Sequence, residues 1–472
     1  MSKKLEKITT RKENFADWYT SIVNNAKLIQ YTDIKGMMVF QPNAWAIWEA
    51  IKNQIDVEFK KHGVRNLAMP TLIPLSEFQK EKDHIEGFAP ELFMVNQIGD
   101  KKLDNSYAIR PTSEILFCNY FKNIVNSYND LPIKNNQWCS VMRAEKTTRP
   151  FLRNAEFHWQ ELHAIFASEN EADSFAKVIL DVYTDFVQNY LCIPVIKGLK
   201  TPWERFAGAQ KTYTIEAMMQ DGQALQSATS HYLGQFFAKA YDIKFQGQDN
   251  QMHYVHQMSA GLSTRIIGAL IMVHADDQGL ILPPDIAFNQ IAILTIFSNK
   301  NPQLLKISQQ ICEQLNNYRL FEDHSDKGIG YKLAQQEIEG TPICILVGAK
   351  ELVNQQVVIV RRDTHEKINV DLTDLKLIIP KLLADIKRNI YEKAKKDLED
   401  SIVFVNNIEE LKQVIAQNKM AKAFFDGTKE DDEQIKLLTN ASTRCIFDET
   451  QNGQCFYTNK KTNKLTLFAR AY

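Results

Sequence analysis

The sequence predicts an α+β protein in three parts, and three observations carry that prediction. Two strand-like runs with period-two alternation, 138–145 and 151–166, flank a polar loop and predict a long antiparallel hairpin. After Pro283-Pro284 the chain alternates short apolar runs with helical patterns, which is typical of an α/β domain. A charged run at 393–400 predicts a linker to a small α+β third part. We therefore expect three domains, at residues 1–285, 286–395 and 396–472.

The composition is that of a soluble globular protein. A length of 472 residues fits about three domains. Apolar residues make up 44% and charged residues 24%, which excludes a disordered or low-complexity chain. No stretch approaches the roughly 18 apolar residues of a membrane span, so we expect no membrane partner. With 56 Lys+Arg against 57 Asp+Glu the chain has almost no net charge, so a nucleic-acid partner would have to bind to a local basic surface.

The cysteines argue for a reducing compartment. Seven of them are scattered along the chain without a C-x-x-C pair. This pattern disfavours a disulfide scaffold or a zinc ribbon. We expect a cytoplasmic protein.

The N-terminal region begins with two amphipathic helices. Apolar residues recur at helical spacing over 15–26. A longer helix is predicted from Pro42 to His62, because Pro suits a first turn and Gly63 suits a C-terminal stop. A short strand, 64–70, follows it.

The predicted hairpin concentrates unusual side chains on one face. Successive strand residues alternate faces, so each strand contributes one set. The sets are Val141, Arg143 and Glu145 on the first strand, and Arg153, Phe157, Trp159, Glu161 and His163 on the second. Two guanidinium groups beside aromatic rings and carboxylates indicate a site for a polyanion that carries a planar ring. The alternative is a structural hairpin held by salt bridges.

Four further strings contain small polar or charged groups that are weak signals individually: 110–114, 204–209, 226–231 and 261–265. Arginine is scarce, with 14 residues against 42 lysines. We therefore expect each arginine to mark a position that needs the planar guanidinium group, which can donate two parallel hydrogen bonds like a fork. Five of them fall in or beside these strings and the hairpin: Arg110, Arg143, Arg149, Arg153 and Arg265. No P-loop and no G-x-G-x-x-G after a strand is present, which excludes those two nucleotide sites.

The second part is predicted from its own alternation of strand and helix. Its predicted elements are strand 291–297, helix 303–317, strands 342–347 and 356–361, and helix 375–395.

Together these strings resemble the motifs of class II aminoacyl-tRNA synthetases, and among them prolyl-tRNA synthetases of the archaeal/eukaryotic-like type. Gly36–Pro70 resembles motif 1, Val141–Glu145 with Phe151–His163 resembles motif 2, and Gly261–Arg265 resembles motif 3. Arg110–Glu114 is similar to the proline-specific T-x-E loop. Two other strings characteristic of this family are matched by Glu204–Ala209 and Thr229–Gln235.

The resemblance implies a fold and an assembly. The catalytic domain is expected to hold a six-stranded antiparallel sheet flanked by helices, followed by an α/β anticodon-binding domain and a small C-terminal domain. Motif 1 implies a homodimer. Only about 100 residues separate His163 from Arg265, so no inserted editing domain is expected.

The implied reaction activates L-proline with ATP to prolyl-adenylate and transfers the prolyl group to tRNA(Pro), with Mg²⁺ neutralising the phosphates. Arg143 and Arg265 are the implied catalytic residues. The implied ATP contacts are Arg143, Glu145, Arg153, Phe157, Gln226, Thr229, Ser263 and Arg265. The implied proline contacts are Thr112, Glu114, Trp159, His163, Phe206 and His231.

The two C-terminal domains depart from the family pattern. Glu337, Lys350 and Glu351 stand at or near positions that would read the anticodon, but Cys344 replaces the usual Arg. In many relatives four cysteines of the last domain bind zinc. Here those positions align with Asp426, Asp431, Cys455 and Tyr457, and one thiolate cannot make that site, so no protein metal is expected.

Two other functions remain open from the sequence. One is another class II synthetase, threonyl or seryl. The second is a synthetase-derived RNA-binding protein without catalysis.

Overall fold

The structure, a computed structural model, describes residues 8–78, 92–449 and 451–472, and within helix Ala349–Val353 it leaves the side chain of Glu351 undescribed. Its strands and helices confirm the α+β class.

The first two predicted helices are confirmed. Helix Phe15–Asn25 begins at Asn14, whose side chain accepts hydrogen bonds from the second and third residues that follow it. Helix Pro42–Lys61 has proline in its first turn, where no intrahelical partner is needed, and ends just before Gly63. The short strand after it covers only Arg65–Asn66.

The described residues up to Ser263 contain fourteen strands. In chain order they are β1 Ile29–Tyr31, β2 Met38–Phe40, β3 Arg65–Asn66, β4 Leu72–Pro74, β5 Met94–Ile98, β6 Lys101–Ile109, β7 Ile133–Met142, β8 Glu156–Phe166, β9 Val195–Leu199, β10 Lys211–Met218, β11 Ala224–Gly234, β12 Lys244–Gln246, β13 Met252–Tyr254 and β14 His256–Ser263. Further helices are Leu75–Phe78, Glu114–Ile124, Glu169–Asn189, Phe236–Tyr241 and Arg265–His274.

Six of these strands form the antiparallel centre of one large sheet, in the order β9-β10-β11-β14-β8-β7. This is the six-stranded sheet that the family resemblance implies. Helix Glu169–Asn189 packs on one face with its apolar stripe, which includes Ile179, Tyr183 and Phe186. Its capping box at Ser168 fixes where it begins. The opposite face is left for the site described below.

The predicted hairpin is present, but its strands differ from the prediction. β7 begins earlier, at Ile133, and ends at Met142; β8 begins only at Glu156. Arg143, Glu145 and Arg153 therefore lie in the connecting loop and not on strand faces, which corrects the predicted arrangement. Arg143 still donates its backbone N–H to Ala155 O at 2.8 Å, and beyond that bond the loop departs from the ladder.

The second domain is α/β, as predicted. Its strands are β15 Ile291–Thr295, β16 Leu320–Asp323, β17 Ile343–Val347, β18 Gln356–Arg361 and β19 Lys367–Asp371. They pair in the order β16-β15-β17-β18-β19, parallel among the first three and antiparallel beyond. The helices are Gln303–Gln314, Ile329–Glu339, Ala349–Val353 and Leu375–Glu399.

The predicted linker at 393–400 is wrong. Helix Leu375–Glu399 continues through it, because Ala394 and Leu398 extend the buried stripe and Lys396 pairs with Asp400 at 2.6 Å. The run of charges that indicated a linker is the solvent-facing side of one long helix.

The C-terminal part adds strands to the same large sheet. Its elements are β20 Ile402–Phe404, β21 Met420–Phe424, β22 Ser442–Phe447, β23 Gly453–Gln454, β24 Lys461–Thr462 and β25 Leu465–Ala469, with helices Ile408–Ala416 and Lys429–Thr439. β22 pairs antiparallel with β9, so the large sheet contains eleven strands among the described residues. At Gly198 of β9 an added Cβ would lie 2.6 Å from Ile446 O, so only glycine permits this approach.

Across residues 8–78, 92–449 and 451–472, no helix has both the length and the apolar character needed to cross a membrane.

Candidate active site

The open face of the sheet carries a cavity of about 290 Å³. Its lining comes from β8, β10, β11, β14 and the loops beside them. The lining side chains are those of Thr112, Glu114, Arg143, Phe157, Trp159, Glu161, His163, Glu204, Arg205, Phe206, Thr212, Gln226, Ser227, Ala228, Thr229, His231, Ser259, Ala260, Ser263 and Arg265, and Gly261 contributes backbone.

The antiparallel register arranges this lining in rows that cross the strands. The first row pairs Trp159 with Ser263. The second pairs Glu161 with Gly261, which in turn pairs with Thr229. Since side chains on one face recur every two residues, neighbouring rows lie about 6.8 Å apart.

The third row of the lining continues the same pattern. It runs from His163 through Ser259 and His231 to Thr212. The site therefore has two ends, one at Trp159 and the other at the two histidines.

The Trp159 end is cationic and aromatic. The guanidinium carbon of Arg143 lies 5.3 Å from the ring centre of Phe157 and 5.7 Å from that of Trp159, within cation–π range. Arg143 Nε donates to Pro111 O at 3.0 Å, which fixes the plane of the fork. An arginine held in this way presents a bidentate donor to an anion.

Arg265 supplies the second cation at this end. It opens helix Arg265–His274, and its Nε donates to Leu152 O at 3.1 Å. Burial, together with the smaller effect of the nearby Arg143 and Arg153, lowers the pKa of Arg265 to about 10. At neutral pH the side chain is therefore still charged, and an incoming anion would relieve the repulsion among these cations.

The opposite end holds two carboxylates. Thr112 donates its hydroxyl to Glu114, and both are buried. Glu161 accepts hydrogen bonds from Ser113 and Gln137.

Glu161 remains ionised despite its burial. Burial alone would raise the pKa of Glu161, but the hydrogen bond from His163 at 3.3 Å and the other donors outweigh it, and the net pKa is lowered. Two carboxylates in one small pocket suit a cationic group of the ligand.

Imidazole and aromatic rings enclose the same end. Phe206 packs against His231 with ring centres 4.7 Å apart, and Phe117 stacks on His163 at 4.1 Å. Burial lowers the pKa of His231 to about 3, so its ring is neutral at physiological pH. His231 Nδ1 lies 3.0 Å from the Thr212 hydroxyl. The wall at this end is therefore made of flat rings, and it carries no charge on the His231 side.

Arg110 has a structural role. It is buried, and its guanidinium donates to the backbone oxygens of Met69 and Ser140, at 2.8 and 3.1 Å. It therefore fixes the loop that presents Thr112 and Glu114 and does not face the cavity.

Arg149 also lies apart from the cavity lining. Its guanidinium carbon lies 5.1 Å from the ring centre of Tyr19 and 5.7 Å from that of Tyr472. Of the five arginines that were singled out in the sequence, Arg143 and Arg265 line the cavity.

Two of the predicted ATP contacts, Glu145 and Arg153, do not line the cavity. They lie in the hairpin loop, where Arg153 Nε is 3.8 Å from Glu145 Oε2. The structure brings together the other predicted residues of this site: Thr112, Glu114, Arg143, Phe157, Trp159, His163, Phe206, Gln226, Thr229, His231, Ser263 and Arg265.

Glu161 and Ser259 are cavity residues that sequence reasoning left out of the site. Glu161 lies on the predicted strand face and shares the period-two spacing of Trp159 and His163, but the family motifs imply no role for it. Ser259 stands two residues before Gly261 and four before Ser263, so the same period would have found it.

The residues predicted to read the anticodon lie in the second domain. Glu337 is half-buried near the end of helix Ile329–Glu339, and its Oε1 lies 3.6 Å from His365 Nδ1. Lys350 is exposed in the short helix Ala349–Val353. Glu351 follows it, and its side chain lies outside the described part of the chain.

The residues aligned with the zinc positions have other partners. Asp426 accepts from Lys464 Nζ at 2.6 Å, and Asp431 caps the N-terminus of its own helix. Cys455 Sγ accepts from the backbone N–H groups of Asp426 and Thr458, each at 3.3 Å. Among the described residues no group of three or more His, Cys, Asp and Glu side chains is placed to hold a metal ion.

The sequence matches three known families along its length. They are the tRNA synthetase class II core domain (G, H, P, S and T) over residues 93–274, the Anticodon binding domain over residues 290–382, and Prolyl-tRNA synthetase, C-terminal, over residues 408–472.

Curated relatives match over the whole chain. The proline–tRNA ligase of Ureaplasma urealyticum serovar 10 is 93% identical over 472 residues, which is 100% of both chains. The proline–tRNA ligase of Mycoplasma mobile is 49% identical over 475 residues, covering 100% of this chain and 99% of the relative. That of Malacoplasma penetrans is 48% identical over 474 residues, covering 99% and 100%. The chain therefore belongs to the class II prolyl-tRNA synthetases.

Proposed function

We infer that the chain is a proline–tRNA ligase, which activates L-proline with ATP to prolyl-adenylate and transfers the prolyl group to the 3′ end of tRNA(Pro). The observation that carries this inference is one continuous cavity that joins a cationic, aromatic end to an end with two carboxylates and two histidines. Full-length similarity to proline–tRNA ligases supports the same reaction. The products are AMP, pyrophosphate and prolyl-tRNA.

The nucleotide binds at the Trp159 end. We assign Arg143 to the α-phosphate, where negative charge accumulates as the proline carboxylate attacks. Phe157 and Arg265 stack on the adenine, and Arg265 also reaches the terminal phosphates. Gln226, Thr229 and Ser263 supply hydrogen bonds to ATP or to the terminal adenosine of tRNA. This assignment is supported by the fixed plane of the Arg143 fork.

Glu145 and Arg153 would contact the nucleotide from the hairpin loop. We assign Glu145 to the adenine and Arg153 to the phosphates. Both lie outside the cavity lining, so each would have to reach the ligand from the rim. Arg153 is half-exposed, with 52% of its side chain accessible, and it is free to change its rotamer at little cost.

Proline binds at the opposite end. Thr112 and Glu114 receive its secondary ammonium, and His163, Phe206 and His231 enclose the ring, while Trp159 borders both the proline ring and the nucleotide. A neutral His231 suits this role, because a charged ring beside a saturated hydrocarbon would be costly to desolvate. Catalysis then consists of holding the carboxylate against the α-phosphate, a contribution of position and electrostatics.

Mg²⁺ fits this site through the nucleotide. Mg²⁺ is usually held by substrate phosphates with one or two protein oxygens and several waters. Gln226 and Thr229 place side-chain oxygens on the cavity wall, and these are suitable donors. When bound, the ion would neutralise phosphate charge.

The tRNA is read by the second domain. We propose Glu337, Lys350 and Glu351 as anticodon contacts. Support for this role comes from the match to an anticodon-binding family over residues 290–382.

A homodimer through motif 1 is proposed. The supporting observation is a set of exposed apolar side chains on and before Gly36–Pro70: Tyr31, Ile34, Val39, Trp45 and Val57, each between 37% and 58% exposed. A cytoplasmic location is proposed as well, because all seven cysteines are free thiols, as in a reducing compartment.

The subtype is proposed as archaeal/eukaryotic-like, without the inserted editing domain. Residues 167–255 form helix Glu169–Asn189, strands β9 to β13 and helix Phe236–Tyr241, which belong to the catalytic domain. The last domain is proposed to be metal-free, because the residues at the zinc positions are engaged elsewhere. The domain limits 1–285, 286–395 and 396–472 remain our proposal.

One assay tests the reaction. Full-length protein is expected to catalyse pyrophosphate exchange into ATP that depends on proline and not on threonine or serine. Exchange with threonine or serine instead would indicate another class II synthetase. Tight tRNA binding without any exchange would indicate a non-catalytic RNA-binding protein, and either result would refute the assignment.

A further inference from the structure

A buried cluster of three charges lies beside the active-site cavity and has no place in the reaction described above. Glu216 on β10 is fully buried, and its Oε1 accepts from Lys200 Nζ at 2.8 Å and from the Thr214 hydroxyl at 3.0 Å. Its Oε2 accepts from Arg444 Nη2 at 2.9 Å and from Nε at 3.2 Å. The side chains of Lys200 and Arg444 are only 1% and 8% exposed.

Within the cluster two cations share one carboxylate, and Glu204 of the cavity lining is a second, weaker carboxylate acting on Arg444. A buried unpaired charge is costly, and apolar side chains of similar size hold two parts of a protein together at least as well as a buried ion pair does. Joining the C-terminal domain to the catalytic sheet therefore does not by itself explain a surplus positive charge at this place.

The position of the cluster indicates what the surplus charge acts on. On the neighbouring strand β11, Gln226 is paired with Glu216 and Thr229 is paired with Thr214. Gln226 and Thr229 both line the nucleotide part of the cavity. Side chains of directly paired residues project from the same face of an antiparallel sheet, so the three charges lie beside the part of the lining that is proposed to contact the nucleotide.

The negative charge of Glu216 acts on a group inside the cavity, the guanidinium of Arg265. Burial is the largest influence on the pKa of Arg265 and lowers it, while Glu216 acts in the opposite direction. A carboxylate that acts on Arg265 also acts on a triphosphate bound there. Unless cations neutralise it, Glu216 would repel the nucleotide.

Arg444 reaches this place from another domain. It lies on β22, which pairs with β9 at the edge of the catalytic sheet. The Gly198 contact with Ile446 O brings β22 close enough for Arg444 to extend over β9 to β10.

We propose that Arg444, from the C-terminal domain, is a positioning residue of the nucleotide site, which acts through the carboxylate of Glu216 that it shares with Lys200. The proposal rests on the proposed function. With Arg444 the cluster carries one net positive charge and adds to the field of Arg143 and Arg265. Without it the cluster is neutral, and ATP should bind more weakly.

The test uses three variants of the full chain in proline-dependent pyrophosphate exchange. Arg444→Met is expected to raise the KM for ATP about tenfold, the effect of one unit charge on a single phosphate charge roughly 10 Å away at an effective dielectric constant of about 20. Glu216→Gln leaves two cations and should lower the KM for ATP. The double variant Glu216→Gln with Arg444→Met again carries one net positive charge, so its KM for ATP should return to within about threefold of the parent value. The KM for proline should change less than twofold throughout.

The opposite signs distinguish this role from a structural one. If Arg444 only stabilised the domain contact, both single variants would reduce activity together and the double variant would not recover. That result, or an unchanged KM for ATP in Arg444→Met, would overturn the proposal. If Arg444→Met does not fold, the test rests on Glu216→Gln alone. A fall in its KM for ATP would then support the proposal, and a rise would overturn it.

A matched control comes from the second domain. Arg361 is equally buried, with a 7% exposed side chain, and pairs with Asp363 and Asp385 at 2.8 and 2.7 Å. Arg361→Met should leave the KM for ATP unchanged, and a rise there as large as that of Arg444→Met would show that any lost buried arginine has this effect. Absence of exchange in the parent protein would instead refute the proposed function itself.

Discussion

Replacing Arg143 with lysine should remove most of the catalysis of proline activation while leaving the protein folded. The substitution keeps the positive charge but loses the planar fork. In the structure the plane of that fork is set by the Nε bond to Pro111 O at 3.0 Å and by the faces of Phe157 and Trp159. A lysine ammonium has no equivalent of Nε and cannot present two parallel donors to a phosphate.

The expected loss is about two to three orders of magnitude in kcat for pyrophosphate exchange. Removing one preorganised donor to a developing negative charge costs about 3–4 kcal/mol of transition-state stabilisation. The cost in folding should be much smaller. The lost bond to Pro111 O contributes about 1 kcal/mol, against a total stability of roughly 5–15 kcal/mol.

The assay is exchange of labelled pyrophosphate into ATP with saturating proline, together with urea unfolding of both proteins. Arg361→Lys serves as the control, because it makes the same exchange of side chain at a buried arginine of the second domain. Near-normal exchange in Arg143→Lys would contradict the proposed role of the hairpin loop. A large loss of stability would show that Arg143 acts mainly in folding.

Three further predictions follow from the structure and one from the sequence. Arg362→Met should cost about 2 kcal/mol of stability and reduce aminoacylation more than exchange. The reason is that Arg362 pairs with Asp276 of the catalytic domain at 2.6 and 2.9 Å; unchanged urea unfolding would contradict it. Burial lowers the pKa of His274 to about 4 in the folded protein, whereas the unfolded chain binds this proton at about pH 6.5. The free energy of unfolding should therefore fall as the pH drops below about 6.5. His274→Gln should therefore shrink the loss of unfolding free energy between pH 7 and pH 5 by about 2 kcal/mol, and an equal loss in both proteins would refute this origin. Zinc after dialysis should be far below one per chain, and EDTA should not lower the Tm; stoichiometric zinc by elemental analysis would be the contrary result. The purified protein should not rapidly deacylate Ala-tRNA(Pro), although some alanine activation is expected, because the smaller side chain loses only about 1–3 kcal/mol of contact.

Local patterns in the sequence were sufficient for the elements that make the site. The hairpin was predictable because period-two alternation and its polar loop are encoded within about thirty residues. The strand face with Trp159 and His163 followed from the same alternation. These predictions depend on neighbours in the chain, and the structure confirms them.

The errors arose where distant residues decide the local structure. The loop that holds Arg143 and Arg153 leaves the strand ladder early, and contacts such as that of Arg149 with Tyr472 help to shape it. The charged run that ends at Asp400 looks like a linker unless the buried Ala394 and Leu398 are known.

The addition of β22 to the catalytic sheet was not predicted. It depends on Gly198, which is separated from Ile446 by more than half of the chain. A sequence alone does not show which two edge strands will meet.

The antiparallel sheet explains how residues so far apart in the chain act on one reaction. Arg143 and Arg265 are 122 positions apart, yet the pairing of β8 with β14 fixes Trp159 opposite Ser263, so that motif 2 and motif 3 meet across one strand spacing. The row of His163, Ser259 and His231 then lies about 13 Å along the strands from the Trp159 row, a distance set by the repeat of the backbone. The two ends of the cavity that are proposed to bind nucleotide and proline are therefore held at a fixed spacing. Rigid spacing is what activation requires, since the rate gain of bringing two bound groups together depends on geometry that is fixed before they bind.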